Sequence, residues 1–282
     1  MVCEDFRERN YSFSIVHAND HQEGLLTLEI SRRLRAKSII FLRSPGMTRD
    51  DYFKYRCNKF DVICAIGEEL TARVAAWDSG KKIHAIFDGI FEDEFLPPKP
   101  KPDHAPNRAL VIGSPLVWKG WADMTAALLL LQEQKALPDL RFDFTGDWPD
   151  ESENPLALDS SSKSRCNFLG RRENFRELVR SYDLVINPSR METFGMAAVE
   201  VLAAGVPLLS SRSGVIEQII TDREFLFHPN DPAGLAFVLR NVLDRWTTVD
   251  FNLPAVQARI RDRFMIGHAT DHLDAMLSEL SV

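Results

Sequence analysis

Several signals that quickly place a protein are missing from this chain. Its four cysteines, Cys3, Cys57, Cys64 and Cys166, make no CxxC pair, and with the histidines they form no zinc-spaced cluster. Free, buried thiols in a reducing compartment are expected, with neither a disulfide frame nor a structural metal. Basic charge is also scarce. Lys and Arg number 34 against 41 Asp and Glu, a formal net charge of −7, so nucleic acid is not an expected partner. The longest apolar runs, such as Ala126–Leu131, fall far short of the ~20 residues that span a bilayer. The opening stretch "MVCEDFRERN" is charged from its fourth residue and does not read as a signal peptide, so a cytoplasmic location is expected. There is no repeat of fixed period and no low-complexity tract. No strand leads into GxGxxG, which argues against a nicotinamide dehydrogenase.

What the chain does have is a regular alternation. "FSIVHA" (Phe13–Ala18), "SIIFL" (Ser38–Leu42), "FDVICAI" (Phe60–Ile66) and "KIHAIFDG" (Lys82–Gly89) read as buried strands, with helical patterns such as "QEGLLTLEISRRLRA" and "EELTARVAAW" between them. Strand–helix alternation predicts parallel sheets covered by helices. The segment Leu96–Arg108 then carries five prolines. Proline lacks an N–H and restricts its neighbour, so this is neither helix nor central strand. After it the alternation restarts with "ALVIGS", "LRFDFTG", "CNFLG", "DLVINPS" and "VPLLSS" as strands, and a polar loop "DWPDESENPLALDSSSKSR" interrupts it. The resulting division is an N-terminal α/β domain (1–96), a proline-rich linker (97–107), a second α/β domain (108–250) and a C-terminal helical segment (251–282). Ligands of such sheets bind beyond the carboxyl ends of the strands.

The stretch Ser189–Gly214, "SRMETFGMAAVEVLAAGVPLLSSRSG", poses the chemical question. Met196–Ala204 reads as a helix, stopped by Gly205 and Pro207. It is apolar around nearly its whole circumference, which predicts a core helix, yet Glu200 sits within it. An ionised carboxylate buried without donors is costly, and no Lys or Arg lies within a helical turn. The donors must come from a distant side chain or from a ligand. The preceding turn, Glu192–Gly195, presents free backbone N–H groups at a helix N-terminus, a cradle for phosphate or sugar oxygens.

The longer string "NPSRMETFGMAAVEVLAAGVPLLSSRSGVIEQII" strongly resembles the signature of the retaining family 4 glycosyltransferases, whose fold is GT-B: two Rossmann-like parallel-sheet domains. The segments "IVHAND", "IFDGIFEDEFLP", "VIGSPLVWKGW" and "FLGRRENFRELVRSYDLVINPS" are similar to other parts of that pattern, in the same order. The resemblance implies sugar transfer from a UDP- or GDP-sugar to a glycan, lipid-linked or other acceptor, with retention at the anomeric carbon and without a metal or other cofactor. It implies catalytic roles for Lys119, facing the leaving diphosphate, and Glu192, holding the donor sugar with the backbone of Thr193, Phe194, Gly195 and Met196. Glu200 would accept from ribose hydroxyls. Gly113 and Ser114 would line the donor phosphates, with Gly146 and Arg171 beside the base. His17, Asp20 and Arg43 would lie on the acceptor side.

The chain departs from the family pattern in places. The N-terminal domain lacks the first strand–helix units and their glycine-rich loop, which predicts an open sheet edge and admits a partner subunit or a homodimer that completes it. Ser114 stands where an Arg is usual. Arg43 and Ser44 stand where a sugar-contacting His is usual, and Asp88 replaces an Asn. Two other readings therefore remain: a nucleotide-sugar-binding subunit without activity of its own, and a GT-B phosphorylase or sugar-nucleotide epimerase. His17, Asp20 and His21 read as strand-end polar residues in preference to a metal site. The basic stretch Ser31–Lys37 is either a solvated helix face or a contact with anionic lipid on the cytoplasmic face. Trp118 and Trp121 are read as packing residues in preference to a stacking platform.

Overall fold

A computed structural model describes residues 6, 11–136, 139–150, 152, 156 and 159–280. Cys3 and part of the polar loop lie outside them. The chain divides into two compact units, Met1–Asp88 with Gly267–Val282, and Gly89–Ile266.

The first unit runs β1 (Ile15–Ala18), α1 (Gly24–Leu34), β2 (Lys37–Leu42), α2 (Arg49–Lys54), β3 (Val62–Ile66), α3 (Gly67–Trp77) and β4 (Ile83–Ile86). The four strands pair in the order β1-β2-β3-β4, all parallel. Alternate residues of a strand face opposite sides of a sheet. Ile40, Leu42 and Ile63 accordingly join one apolar cluster with Tyr52 and Val74, whereas Ile39, Val62 and Cys64 join another with Met276. Burial pushes the Cys57 and Cys64 thiols up to about 12, so both are inert apolar fillers near neutral pH. Among the described residues β1 pairs only with β2 and forms the sheet's edge. The short helix α2 went unread in the sequence, although Thr48 and Asp51 form a reciprocal capping box at its start.

The second unit holds β5 (Arg108–Val111), α4 (Trp121–Glu133), β6 (Arg141–Phe144), α5 (Ser160–Lys163), β7 (Cys166–Phe168), α6 (Phe175–Arg180), β8 (Leu184–Asn187), α7 (Met196–Ala203), β9 (Leu208–Ser211), α8 (Ile216–Ile219), β10 (Leu226–Phe227), α9 (Pro232–Asp244) and α10 (Leu253–Arg263). Its six parallel strands run β10-β9-β8-β5-β6-β7. Counted from the unit's first strand, this is the doubly wound order 3-2-1-4-5-6, and the direction of winding reverses between β5 and β8.

The boundaries differ from the sequence reading. The chain leaves the first unit between Asp88 and Gly89, ahead of the expected linker at 97–107. The proline-rich stretch is an extended strap bound to the second unit. Leu96 N–H donates to Ala203 O (3.0 Å), Lys99 N–H to Gly205 O (2.7 Å) and Lys99 Nζ to Tyr182 O (2.8 Å). Prolines hold a chain extended whether it is free or docked, so composition alone does not separate the two cases. The segment 251–282 is likewise not one crossing helix. Helix α10 stays with the second unit, where Gln257 Nε2 donates to the carbonyls of Leu96 (2.9 Å) and Ala203 (2.9 Å). A break at Phe264–Met265 follows, marked by a parallel bridge between Ile90 and Met265. Only then does α11 (Ile266–Leu280) supply Met276 to the first unit's core.

One buried ionic knot fastens the second sheet. Asp143 on β6 accepts from Tyr182 Oη (2.7 Å), Arg108 Nε (2.9 Å) and Asn167 Nδ2 (3.1 Å). Burial alone would raise its pKa, but these bonds outweigh it and hold the carboxyl below its ordinary value. The stabilisation is therefore fully present above the ordinary carboxylate range and is lost as pH falls through the depressed value. Asp143→Ala is expected to cost on the order of 3 kcal/mol in urea unfolding at pH 7, with a smaller difference from wild type at pH 3. An unchanged midpoint at pH 7 would remove the knot from the account.

Among the described residues, no helix is long and apolar enough to cross a membrane. On the basic stretch after Ser31, Arg32 and Arg33 pair with Glu29 on their own helix (2.9 and 2.6 Å), as a solvated face does.

Candidate functional site

The site is built in the second unit, where the loops after β5 and β8 leave the switch point of the sheet. After β5, Gly113 takes φ +127° and is clamped by Thr145, whose Oγ1 accepts from Gly113 N–H (3.0 Å) and donates to Gly113 O (2.7 Å). The loop then passes Ser114, makes a 3-10 turn at Val117–Lys119 and enters α4 through Gly120 in the left-handed region (φ +71°). Gly120 lies so close to the β8 loop that a Cβ there would collide with the carbonyl oxygen of Pro188. Arg190 ties the two loops a second time. Its N–H donates to Trp118 O (2.7 Å) and its guanidinium grips Asp123 with two bonds of 2.7 Å.

This double fastening brings Lys119 Nζ within 2.7 Å of Glu192 Oε1, although 73 residues separate them in sequence. Both side chains are mostly buried yet keep some exposure, 23% and 16%. Beyond Glu192, Phe194 is buried against Phe264, with ring centroids 5.3 Å apart. Thr193 and Met196 are half-buried on either side of the Phe194–Gly195 turn. Gly195 is the N-cap of α7 at φ +93°, and no side chain caps the helix. Its first-turn amides therefore face the loop carrying Glu192 with the positive end of the helix dipole behind them. Gly214, at φ +65°, supports the turn from below, because a Cβ there would strike Phe194 O.

Glu200 lies one turn further along α7, and here the structure corrects the sequence reading. The residue is half-buried and not enclosed in a dry core. It lines a cavity of about 410 Å³ together with Glu94 and residues 173–177. Burial raises its pKa, the charge of Glu94 raises it further, and Arg176 partly offsets both. The strap residue Glu94 and the α6 residue Arg176, distant in sequence, open this cavity beside the helix and bring a cation that no local pattern reveals.

The remaining expected residues fall in three groups. Gly146 is buried beneath Trp121 and Pro115, and Arg171 is exposed on the loop after β7. Trp121 is fully buried, edge-on to Phe144 at 5.0 Å, whereas Trp118 is 45% exposed. His17, Asp20 and Arg43 belong to the first unit, where their groups are tied up locally. The His17 ring packs on Phe41 with centroids 4.3 Å apart, and burial lowers its pKa. Asp20 accepts from His21 N–H (2.7 Å), Arg43 N–H (3.2 Å) and the Ser44 hydroxyl. Burial pushes its carboxyl up, but those bonds outweigh it and hold the pKa low. Arg43 makes a two-pronged ion pair with Asp88 (2.8 and 3.0 Å). Arg43 and Arg190 are thus each engaged by a carboxylate. Sequence reasoning missed Glu94, Arg176 and the locking role of Arg190, since each acts through a partner far along the chain.

Comparison with known proteins identifies the family and the fold. The profile of the family described as "Glycosyl transferases group 1" matches residues 92–251. The GDP-mannose-dependent alpha-(1-6)-phosphatidylinositol dimannoside mannosyltransferase of Mycobacterium tuberculosis is 35% identical over 78 residues, 28% of this chain and 20% of that protein. The matched stretch thus spans about a fifth of that relative's length. Among solved structures, the sucrose-phosphate synthase of Thermosynechococcus elongatus superposes with a TM-score of 0.78 at 17% identity, covering 99% of this chain and 77% of that one. Anabaena HepE, solved with UDP and glucose, superposes with a TM-score of 0.76 at 18% identity, covering 98% and 80%. These likenesses show the fold: two parallel-sheet α/β domains of the GT-B kind.

Proposed function

The chain belongs to the glycosyl transferases group 1, and from that premise we propose that it moves a sugar from a nucleoside-diphosphate sugar to a saccharide or lipid-linked acceptor, with retention at the anomeric carbon. The observation that carries this reading is the Lys119–Glu192 pair, set at the sheet's switch point beside the uncapped start of α7. Departure of a nucleoside diphosphate builds negative charge on the phosphate oxygens. A fixed cation and a row of backbone amides stabilise that charge as it develops. Lys119 meets the diphosphate, and Glu192 holds the sugar's hydroxyls with the amides of Gly195 and Met196. Glu200 accepts from the ribose. In this account those groups carry the charge without a metal ion, and a cytoplasmic protein is proposed.

Since Glu200 acts as an ionised acceptor, its raised pKa has a consequence for binding. Nucleotide affinity is expected to fall as pH is lowered through that raised value, because the protonated form loses acceptor strength. Apo-state stability runs the other way over the same window: the folded state holds the proton longer, so stability declines as pH rises through it.

The reaction is tested by incubating the protein with UDP- and GDP-sugars and a panel of sugar and lipid acceptors. The product's anomeric configuration is read by NMR, with and without EDTA. An α-linked product from an α-linked donor, formed equally with EDTA, is expected. An inverted product, or activity that EDTA abolishes, contradicts the reading. Binding without turnover would point to the second reading, a nucleotide-sugar-binding subunit, which the engagement of Arg190 by Asp123 favours.

A further inference from the structure

Glu94 closes the 3-10 turn Glu92–Glu94 on the strap that runs along the second unit. Its Oε2 is shut off from solvent and accepts no hydrogen bond among the described residues. A buried acceptor left without a donor is destabilising and calls for an explanation. The other groups around the cavity differ from it. Glu177 accepts from Asn174 Nδ2 (3.2 Å), Glu173 is exposed, and Arg176 Nη1 donates to the Asp93 carbonyl (2.8 Å). Among the described residues, only Glu94 and Glu200 bring partly buried carboxylates to this space, and the charge of Glu94 acts on Glu200 across it.

Two carboxylates that repel one another are satisfied together by a ligand carrying two separate sets of donors. A nucleoside is such a ligand, with ribose hydroxyls at one end and a base edge at the other. The cavity, about 410 Å³, is of a size that takes one. The bases differ in what they offer a carboxylate. Guanine presents two adjacent donors, N1–H and the exocyclic amino group, matching two carboxylate oxygens. Uracil has a single N–H between two carbonyl oxygens. Adenine and cytosine set an amino group beside a ring acceptor, which a carboxylate repels.

We propose that Glu94 reads the donor's base: its side chain turns so that Oε2 joins Oε1 in the cavity, accepts hydrogen bonds from N1–H and the amino group of guanine, and so makes guanosine diphosphate sugars the preferred donors. This rests on the donor-site reading above, in which Glu200 takes the ribose. Glu94 is a specificity-determining residue and takes no part in the bond changes at the sugar.

The test is calorimetric titration of the full chain with GDP, IDP and UDP, for wild type, Glu94→Gln and Glu200→Gln. IDP is GDP without the amino group on its base. Wild type is expected to bind GDP roughly tenfold or more tighter than IDP or UDP, the scale of one hydrogen bond to a charged group. Glu94→Gln is expected to erase that preference while moving UDP affinity by less than about twofold. Glu200→Gln is expected to weaken all three nucleotides alike. If wild type binds none of them, the donor-site reading fails and this inference falls with it. If wild type binds all three equally, the base assignment is overturned without recourse to a variant. If Glu200→Gln behaves as expected but Glu94→Gln leaves GDP unchanged, or weakens GDP and UDP equally, the donor site stands and the role of Glu94 is overturned. Glu94→Ala repeats the comparison with no amide left to accept, and a thermal unfolding midpoint no lower than wild type ties any loss to the ligand.

Discussion

Replacing Lys119 with alanine is expected to lower turnover by about a hundredfold to a thousandfold, the scale seen when one group stabilising a developing oxyanion is removed. In the unliganded protein Lys119 Nζ is paired with Glu192 at 2.7 Å. In the proposed reaction, a diphosphate arriving at α7 would compete with Glu192 for that ammonium, and its claim would grow as charge accumulates on the leaving group. The effect therefore falls mainly on kcat. Removing the cation also leaves Glu192 unneutralised beside the phosphates, which adds repulsion. The double variant Lys119→Ala/Glu192→Gln is accordingly expected to lose less than the two single losses combined, since the two groups are coupled. Arginine at 119 is expected to restore activity only in part, because its planar fork does not superpose on a compact ammonium. Lys119→Ala with kcat within about twofold of wild type would take Lys119 out of the reaction.

The second large effect is expected at a residue with no side chain. Gly120→Ala places a methyl group against the Pro188 carbonyl in a backbone conformation, φ +71°, that alanine tolerates poorly. Either the β5 loop or the β8 loop must move, and those loops carry Lys119 and Glu192. Overpacking and backbone strain together are expected to cost about 3 kcal/mol or more, which for a unit of this size lowers the unfolding midpoint by roughly 10 °C. Donor binding is expected to be lost even where the variant remains folded, because the Arg190–Trp118 hydrogen bond and the Lys119–Glu192 pair depend on the same approach. A midpoint within a degree or so of wild type, with nucleotide affinity intact, would show that the two loops are not locked through Gly120.

Much of this architecture was legible from the sequence, for physical reasons. Runs such as Ser38–Leu42 and Val62–Ile66 are buried on both faces, and a parallel strand buried on both faces reads as a nearly continuous apolar run. The αL stop at Gly205 is likewise legible, because positive φ at that point favours glycine. Helix α2 was not, since its six residues bury only Tyr52 and leave no apolar stripe. The proline-rich stretch 97–107 reads from composition only as an inter-domain linker, because its docking is made in part by Lys99 and Lys101 reaching carbonyls far along the chain.

The departures from the family pattern teach the same lesson. Asp88 stands in place of an asparagine, and Arg43 with Ser44 where a sugar-contacting histidine is usual. Asp88 and Arg43 stand 45 residues apart and form one ion pair in the first unit. Glu200 was expected to be a charge in a dry core because its own helix is apolar. Its actual neighbours, Glu94 and Arg176, come from the strap and from α6. Periodicity describes an element's own faces, whereas the chemistry at Glu200 is set by what two other elements bring to it.

The central claim is that the second unit holds a nucleoside diphosphate with Glu200 on its ribose. Its most direct test is the calorimetric affinity of the wild-type chain for GDP and UDP, set against that of Glu200→Gln at the same pH. The account predicts saturable one-to-one binding of at least one nucleotide, weakened roughly tenfold or more by Glu200→Gln. No binding of either nucleotide at millimolar concentration, or equal affinity in the variant, would contradict it.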